Sequence, residues 1–325
     1  RRTWNRITGT RYPFLRHEFL TALENSGSVS ADTGWQPHHV VVYQKEEPVA
    51  VMPLYIKTDS YGEFVLDWGW ADAYHRHGYE YYPKLLTAIP FTPATGPRLS
   101  VIEESLRPSV VLQIVSSLRD LTAHKGYSSW HLLFPDTQDL EVLKTQGLSL
   151  RTGCQYHWFN RNYRSFDDFL AKLSSRKRKN IKRERRRVAE QGIELQRIYG
   201  TEISTQQLAD FYTFYQATYY KRARRGYLTP AFFREIHQQL PEHLVLIMAY
   251  RDRQAIAAAL CFQGDNTLYG RYWGCLDEFE CLHFEACYYQ GIEYCIEQQI
   301  NKFDPGAQGE HKISRGFEPI STWSL

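Results

Sequence analysis

Glu285 is the carboxylate whose position most invites chemistry. Leu282, Tyr289, Ile292 and Ile296 recur at helical spacing as an apolar stripe, and Glu285 falls on that stripe. A carboxylate so placed is either paired or shifted toward neutral pH, so two roles stay open: general base, or structural ion pair with an arginine such as Arg271. His283, two residues earlier, points elsewhere on the same helix and suits a substrate wall. The run Gly306-Ala-Gln-Gly-Glu310-His311-Lys312 has the character of a loop around a ligand, with glycines for close backbone approach followed at once by polar side chains. There Glu310 or His311 is a candidate base, and Lys312 or Arg315 a candidate ligand for an anionic substrate. Lys57, Glu63, Lys84 and Arg98 are candidates for an acceptor-binding wall, with structural roles equally open. No Gly-x-Ser-x-Gly elbow occurs, and no cysteine sits beside a histidine in a polar setting. These parts suit general acid–base and charge-stabilising chemistry without a covalent enzyme intermediate.

Lys172–Arg187 holds ten Lys or Arg in sixteen residues against one acid, Glu184. The segment carries +9, so the rest of the chain totals −6 against an overall +3. On a helix, Arg176, Lys179, Arg183 and Arg187 share one face, with Lys177 beside them, while Arg178, Lys182, Arg185 and Arg186 form a far row. Like charges at i, i+4 cost helix stability, which points to an anionic partner such as RNA phosphates, a nucleotide-linked precursor or anionic lipid. A solvated surface helix is the competing reading. A second basic cluster is Lys221, Arg222 and Arg224.

The positioning elements alternate between strand and helix, an α/β pattern. Segment 13–25 reads as a helix, His39–Tyr43 and Val49–Tyr55 as a hairpin, Tyr61–Trp70 as a strand, Tyr79–Ala88 as a helix, Ser109–Lys125 as a helix and Ser129–Phe134 as a strand. The second half repeats this order, with a helix near Gln206–Ala223 leading to Tyr227–Gln238, the hairpin Leu244–Tyr250 and Ile256–Phe262, the strand Thr267–Cys275 and the helix Leu282–Gln299. Four short echoes at offsets of 207 to 213 suggest a duplication: Phe14-Leu15 and Phe19-Leu20 with Tyr227-Leu228 and Phe232-Phe233, Val49-Ala50 with Ile256-Ala257, Tyr81-Tyr82 with Tyr288-Tyr289, and Phe91-Thr-Pro93 with Phe303-Asp-Pro305. Two domains are expected, 1–160 and 161–325, the second opening with the basic helix 172–187. Six cysteines with apolar neighbours and no zinc spacing predict free thiols, no metal and a reducing, cytoplasmic setting. No apolar run reaches membrane-spanning length.

Lys57-Thr-Asp-Ser-Tyr-Gly-Glu63, Tyr81-Tyr-Pro-Lys84, Pro90-Phe-Thr-Pro-Ala-Thr-Gly-Pro-Arg98, Ser174-Ser-Arg-Lys-Arg-Lys-Asn180, Tyr269-Gly-Arg-Tyr-Trp-Gly274, His283-Phe-Glu285 and Gly306–Lys312 resemble a bacterial family of Fem-like N-acyltransferases, also described as peptidoglycan biosynthesis/recognition proteins. The resemblance runs from about residue 4 to the end. It implies two tandem acetyltransferase-like domains with mixed sheets flanked by helices, and a cell-wall precursor as acceptor. Members of that family usually continue past the point where this chain stops. Phe303-Asp304-Pro-Gly306 and Arg315-Gly316-Phe317 are also similar to segments of Fem-type enzymes, which move amino acids from aminoacyl-tRNA. Acetyl-CoA enzymes of the implied fold seat pyrophosphate on a Gly-rich turn at a helix N-terminus. The corresponding Cys275–Cys281 stretch has no glycine and carries Asp277, Glu278 and Glu280. The donor therefore stays between aminoacyl-tRNA and acyl-CoA, with CoA disfavoured, and no further cofactor is expected. Two other readings remain: a binding protein for RNA or peptidoglycan fragments without catalysis, and a CoA-dependent acetyltransferase.

Overall fold

A computed structural model describes residues 1–325 except Leu66, Arg222 and Gln308, so parts of the Tyr61–Trp70, Lys221–Arg224 and Gly306–Lys312 segments lie outside the described residues. The chain forms two compact units, Arg1–Gly153 with Ser321–Leu325, and Cys154–Ile320. The last five residues rejoin the first unit, where Leu325 and Leu132 exchange both backbone hydrogen bonds at 2.8 and 2.9 Å.

Unit 1 runs α1 (Arg2–Thr8), α2 (His17–Asn25), β1 (Trp35–Pro37), β2 (Val40–Gln44), β3 (Glu47–Met52), β4 (Tyr55–Lys57), α3 (Trp68–Arg76), β5 (Lys84–Thr87), β6 (Ser100–Val101), α4 (Arg107–Lys125), β7 (Trp130–Leu132) and α5 (Thr137–Lys144). Its strands form two sheets, β1-β4-β5-β7 and β2-β3-β6. The core beneath them gathers Ala50, Leu85, Leu99, Val111, Val115 and Leu132. Two expected elements differ. Tyr61–Trp70 is not a strand, because Glu63 and Asp67 turn inward onto Lys84 and the chain wraps that ion cluster instead of pairing. Tyr79–Ala88 is not a helix. Pro83 lacks the N–H a helix needs, and Leu85 and Leu86 are buried in β5 between β4 and β7.

Unit 2 is built on a seven-stranded sheet, whose strands are β8 (Arg151–Phe159), β9 (Ile193–Tyr199), β10 (Leu244–Arg251), β11 (Gln254–Gln263), β12 (Thr267–Cys275), β13 (Lys302–Asp304) and β14 (Glu318–Ser324), in the order β14-β8-β13-β12-β11-β10-β9. Its helices are α6 (Phe166–Ala171), α7 (Ser175–Glu190), α8 (Thr205–Tyr220), α9 (Pro230–Gln239), α10 (Leu282–Phe284) and α11 (Gln290–Glu297), the last two joined by a π-helical turn over Glu285–Tyr289. The Leu282–Gln299 periodicity is thus real, but one turn is wound more widely. β12 and β13 run parallel, paired at Thr267↔Lys302, Leu268↔Phe303 and Tyr269↔Asp304. Beyond Asp304 the two part, and β12 continues to Cys275. Gly291 lets the helix lie on this seam, since a Cβ there would sit 2.5 Å from the Phe303 ring. The fold is α/β, with mixed sheets flanked by helices.

Candidate active site

The parting of β12 and β13 leaves a charged group to be satisfied. Asp304, 1% exposed, ends β13 and takes the Arg271 guanidinium of β12 at 2.6 and 3.3 Å. It also accepts the Gly306 N–H at 2.9 Å, and His157 of β8 stands 3.6 Å away. Burial pushes the Asp304 carboxyl up, but Arg271 and His157 outweigh it and hold the group well below the usual carboxylate range. Burial drives His157 down to about 4, so its ring is neutral at pH 7. Arg271 is thus paired with Asp304, and among the described residues Glu285 finds its arginine elsewhere.

That anchored turn positions Lys312. Gly306 adopts φ +98°, and its carbonyl accepts a 2.7 Å hydrogen bond from Lys312 Nζ. Lys312 is 1% exposed, and burial, only partly opposed by Asp304, lowers its ammonium to about 8. A buried lysine with no carboxylate in hydrogen-bond contact among the described residues can stabilise an oxyanion or exchange a proton near neutral pH. Next to it, the exposed His311 shares a 2.9 Å hydrogen bond between its Nε2 and the Tyr288 hydroxyl. Partial burial and the Arg315 and Lys312 charges hold His311 below its ordinary value, which keeps it ready to accept a proton. Gly309 is required here: its φ is +110°, and a Cβ would lie 2.2 Å from the His311 ring. His283 packs edge-on against Trp273 and Tyr288 at 5.5 and 5.3 Å, and burial pushes it down to about 4. Glu310 is exposed on the same turn.

The structure thus brings His283, His311 and Lys312 around Tyr288, which the sequence had not singled out, with Glu310 exposed on the adjoining turn. The π turn supplies Tyr288 and also aims Tyr289 at Glu184. Glu285 and Arg315 are held differently. Arg315, 7% exposed, makes a bidentate pair with Glu184 at 2.7 and 3.1 Å and stacks 3.4 Å from the Phe284 ring centre. Glu285 takes Arg185 at 3.0 and 3.1 Å and Gln290 at 2.8 Å, and Arg185 bridges on to Glu293. The expected ion-pair partner exists, but it is Arg185 of α7. A lone acid among ten bases was the available signal that one side of this helix is internal. If Glu285 is structural, Arg185→Met should cost about 3 kcal/mol, the low end for a broken buried pair because Arg185 keeps roughly a quarter of its surface. Glu285→Gln should lower the melting temperature as well; a Glu285→Gln protein of unchanged Tm and no activity would restore it as base.

The other side of α7 carries the bases that the sequence marked for an anionic partner. Ile181 and Val188 are buried, while Arg176, Lys179, Lys182, Arg183, Arg186 and Arg187 are exposed. Lys182, Arg186 and Arg187 find carboxylates at 3.3 to 3.5 Å. Among the described residues Arg176, Lys179 and Arg183 find none, and they line a cavity of about 670 Å³. Lys177 is half-buried and donates to the Ile313 carbonyl at 2.9 Å.

In unit 1 the structure joins Lys57, Glu63 and Lys84, and adds Asp67 and Tyr81. Lys84 is fully buried, bonded to Glu63 at 2.9 Å and to Asp67, and Tyr81 donates to Asp67 at 2.7 Å. Lys57 lies 4.0 Å over the Trp35 ring, and burial lowers it to about 8. Arg98 is not brought to this cluster: its guanidinium is spent on the carbonyls of Ala94, Gly96, Pro97 and Leu133. Burial raises Glu63 to about 7, Lys84 offsetting it only in part. Between its ordinary 4.5 and about 7 the folded state binds more protons at Glu63 than the unfolded chain, so this group's contribution to stability falls as pH rises through that window. The melting temperature of Glu63→Gln, relative to the native chain, should therefore improve from pH 5 to pH 7; a constant difference contradicts this.

With the geometry in place, comparison with known proteins becomes informative. The model of the FemAB-like family, described as peptidoglycan biosynthesis/recognition, matches residues 1–325. The chain belongs to the FemAB-like family. Its fold is shared with FemX, at 12% identity and TM-score 0.56, over 99% of this chain and 94% of that one. It is also similar to L-PGS from Bacillus licheniformis (10% identity, TM-score 0.55, 97% and 91% of the two chains). The C-terminal domain of a putative lysylphosphatidylglycerol synthetase from Agrobacterium fabrum matches at 10% identity and TM-score 0.58, over 94% and 91%. No curated protein gives a significant match. Membership of the FemAB-like family supports a transferase. Among the described residues, no helix is long and apolar enough to cross a membrane.

Proposed function

We propose that this FemAB-like protein transfers an acyl or aminoacyl group from an anionic carrier to an amine of a cell-wall precursor. The observation that carries the reading is the outer face of α7, where Arg176, Lys179 and Arg183 stand exposed over a cavity with no carboxylate partner among the described residues. Such a face binds phosphates, and aminoacyl-tRNA is the carrier that its length and charge favour. In unit 2, His311 takes the proton from the attacking amine, and the Lys312 ammonium stabilises the oxyanion as the donor ester carbonyl becomes tetrahedral. The intermediate collapses by expelling the carrier hydroxyl, which recovers a proton. No covalent enzyme intermediate is required. Acyl-CoA is disfavoured because exposed Asp277, Glu278 and Glu280 precede α10, where a pyrophosphate would sit. Calorimetric titration should show no coenzyme A binding tighter than about 1 mM, weaker than about −4 kcal/mol. Micromolar affinity would favour a CoA-dependent enzyme.

A further inference from the structure

Helix α3 buries none of its nine residues, yet it carries Trp68, Trp70 and Tyr74. Trp70 is 61% exposed and Tyr79 68% exposed. Exposed aromatic surface of this density marks a binding site rather than a spare face. Trp70, Ala73, Tyr74, His77 and Tyr79 line an open cavity of about 420 Å³. That is room for a small organic group, not for a domain. Its walls are ring faces, with Tyr74 and Tyr79 meeting edge to face at 6.5 Å. His77 bonds the Ala73 carbonyl through Nδ1 at 2.8 Å, so in the neutral ring Nε2 is left as an acceptor.

The chain segment that carries the groove is acidic. From Lys57 to Lys84 there are five carboxylates against three bases, although the chain as a whole is positive. Tyr74 packs on Tyr81 at 5.1 Å, and the Tyr81 hydroxyl in turn bonds Asp67, so the cavity adjoins the buried cluster. Within that cluster Glu63 Oε1 and Asp67 Oδ1 are buried without a hydrogen-bond partner among the described residues. Ring faces attract cations through their quadrupole, and a local excess of carboxylate adds to that attraction while repelling phosphate.

We propose that the α3 groove binds an organic ammonium group, held over the faces of Trp70, Tyr74 and Tyr79 beside the Glu63–Asp67–Lys84 cluster. This rests on the reading that the acceptor is an amine, and it gives unit 1 a groove of its own that recognises organic ammonium.

The test is a titration of the full chain with n-butylammonium chloride, followed by the indole N–H resonance of Trp70, assigned with Trp70→Phe. n-Butanol and methyl glucoside serve as neutral controls. The expected result is a saturable shift with butylammonium alone, weakened at least fivefold by Tyr79→Leu and by Asp67→Asn. Circular dichroism shows that each variant is folded; if Asp67→Asn is not, Tyr79→Leu with its exposed side chain decides alone. A response to n-butanol of equal strength, a stronger response to the glucoside, or a butylammonium shift that Tyr79→Leu leaves intact would overturn the proposal. No acyl donor is present, so the outcome is independent of catalysis. Amine acylation by a protein whose groove ignores butylammonium would remove this inference and leave the transferase reading standing.

Discussion

Replacing Lys312 by Met should lower the transfer rate about a hundredfold, the scale for losing one oxyanion donor. Because Lys312 also holds the Gly306 carbonyl, Met alone would confound charge with structure. Lys312→Gln keeps an N–H donor, on a side chain one atom shorter, and removes the charge, so it should be folded and comparably slow. The pH profile separates the two roles further. With the ammonium at about 8, the native rate should decline above that pH, and Lys312→Gln should lack this limb. Stability runs the opposite way. Unfolded, the lysine titrates near 10.5, so between about 8 and 10.5 the unfolded chain binds the extra proton and Lys312's contribution to stability rises with pH. A Lys312→Gln enzyme with native rate and an unchanged profile would take Lys312 out of the chemistry.

The second large effect belongs to α7. Reversing Arg176, Lys179 and Arg183 to Glu should weaken tRNA binding by well over tenfold at low salt. It should also flatten the dependence of log K on log salt by about 2 to 3, since each phosphate contact contributes roughly 0.7–0.9 to that slope. The melting temperature should barely move, because all three side chains are exposed and none holds a carboxylate among the described residues. Reversing Lys221 and Arg224 provides the control for diffuse attraction to a basic surface. Equal losses from both would mean that α7 is only generally positive. Intact tRNA binding after the first reversal would point instead to anionic lipid or a nucleotide-linked precursor.

Much of this frame was legible in the residues. The α/β class followed from alternating periodicities, and β2–β3 and β10–β11 lie at the hairpins that the apolar alternation marked. Those signals are local, which is why they survive translation into structure. Two of the four internal echoes fall on like elements: Phe19 and Phe232 on the helix before a hairpin, Val49 and Ile256 on its second strand. Tyr81-Tyr82 and Tyr288-Tyr289 do not, because one pair lies in a loop and the other in a π turn. The site was read only in part, for a physical reason. His311 and Lys312 announce themselves by the glycines around them, but Arg185, Asp304 and Asp67 acquire meaning only through partners distant in sequence. Glu285 illustrates the limit. Its place on an apolar stripe marks burial, but burial cannot name the arginine 100 positions away that satisfies it.

The most direct measurement is transfer itself. Purified protein is incubated with radiolabelled aminoacyl-tRNA and an amine-bearing cell-wall precursor, and the product is followed by mass spectrometry. The account predicts an amide whose formation falls steeply with salt, is slowed about a hundredfold in Lys312→Gln, and is lost at low tRNA concentration in the Arg176/Lys179/Arg183 reversal. Amide formation from acyl-CoA that is indifferent to that reversal, with no product from aminoacyl-tRNA, would contradict it.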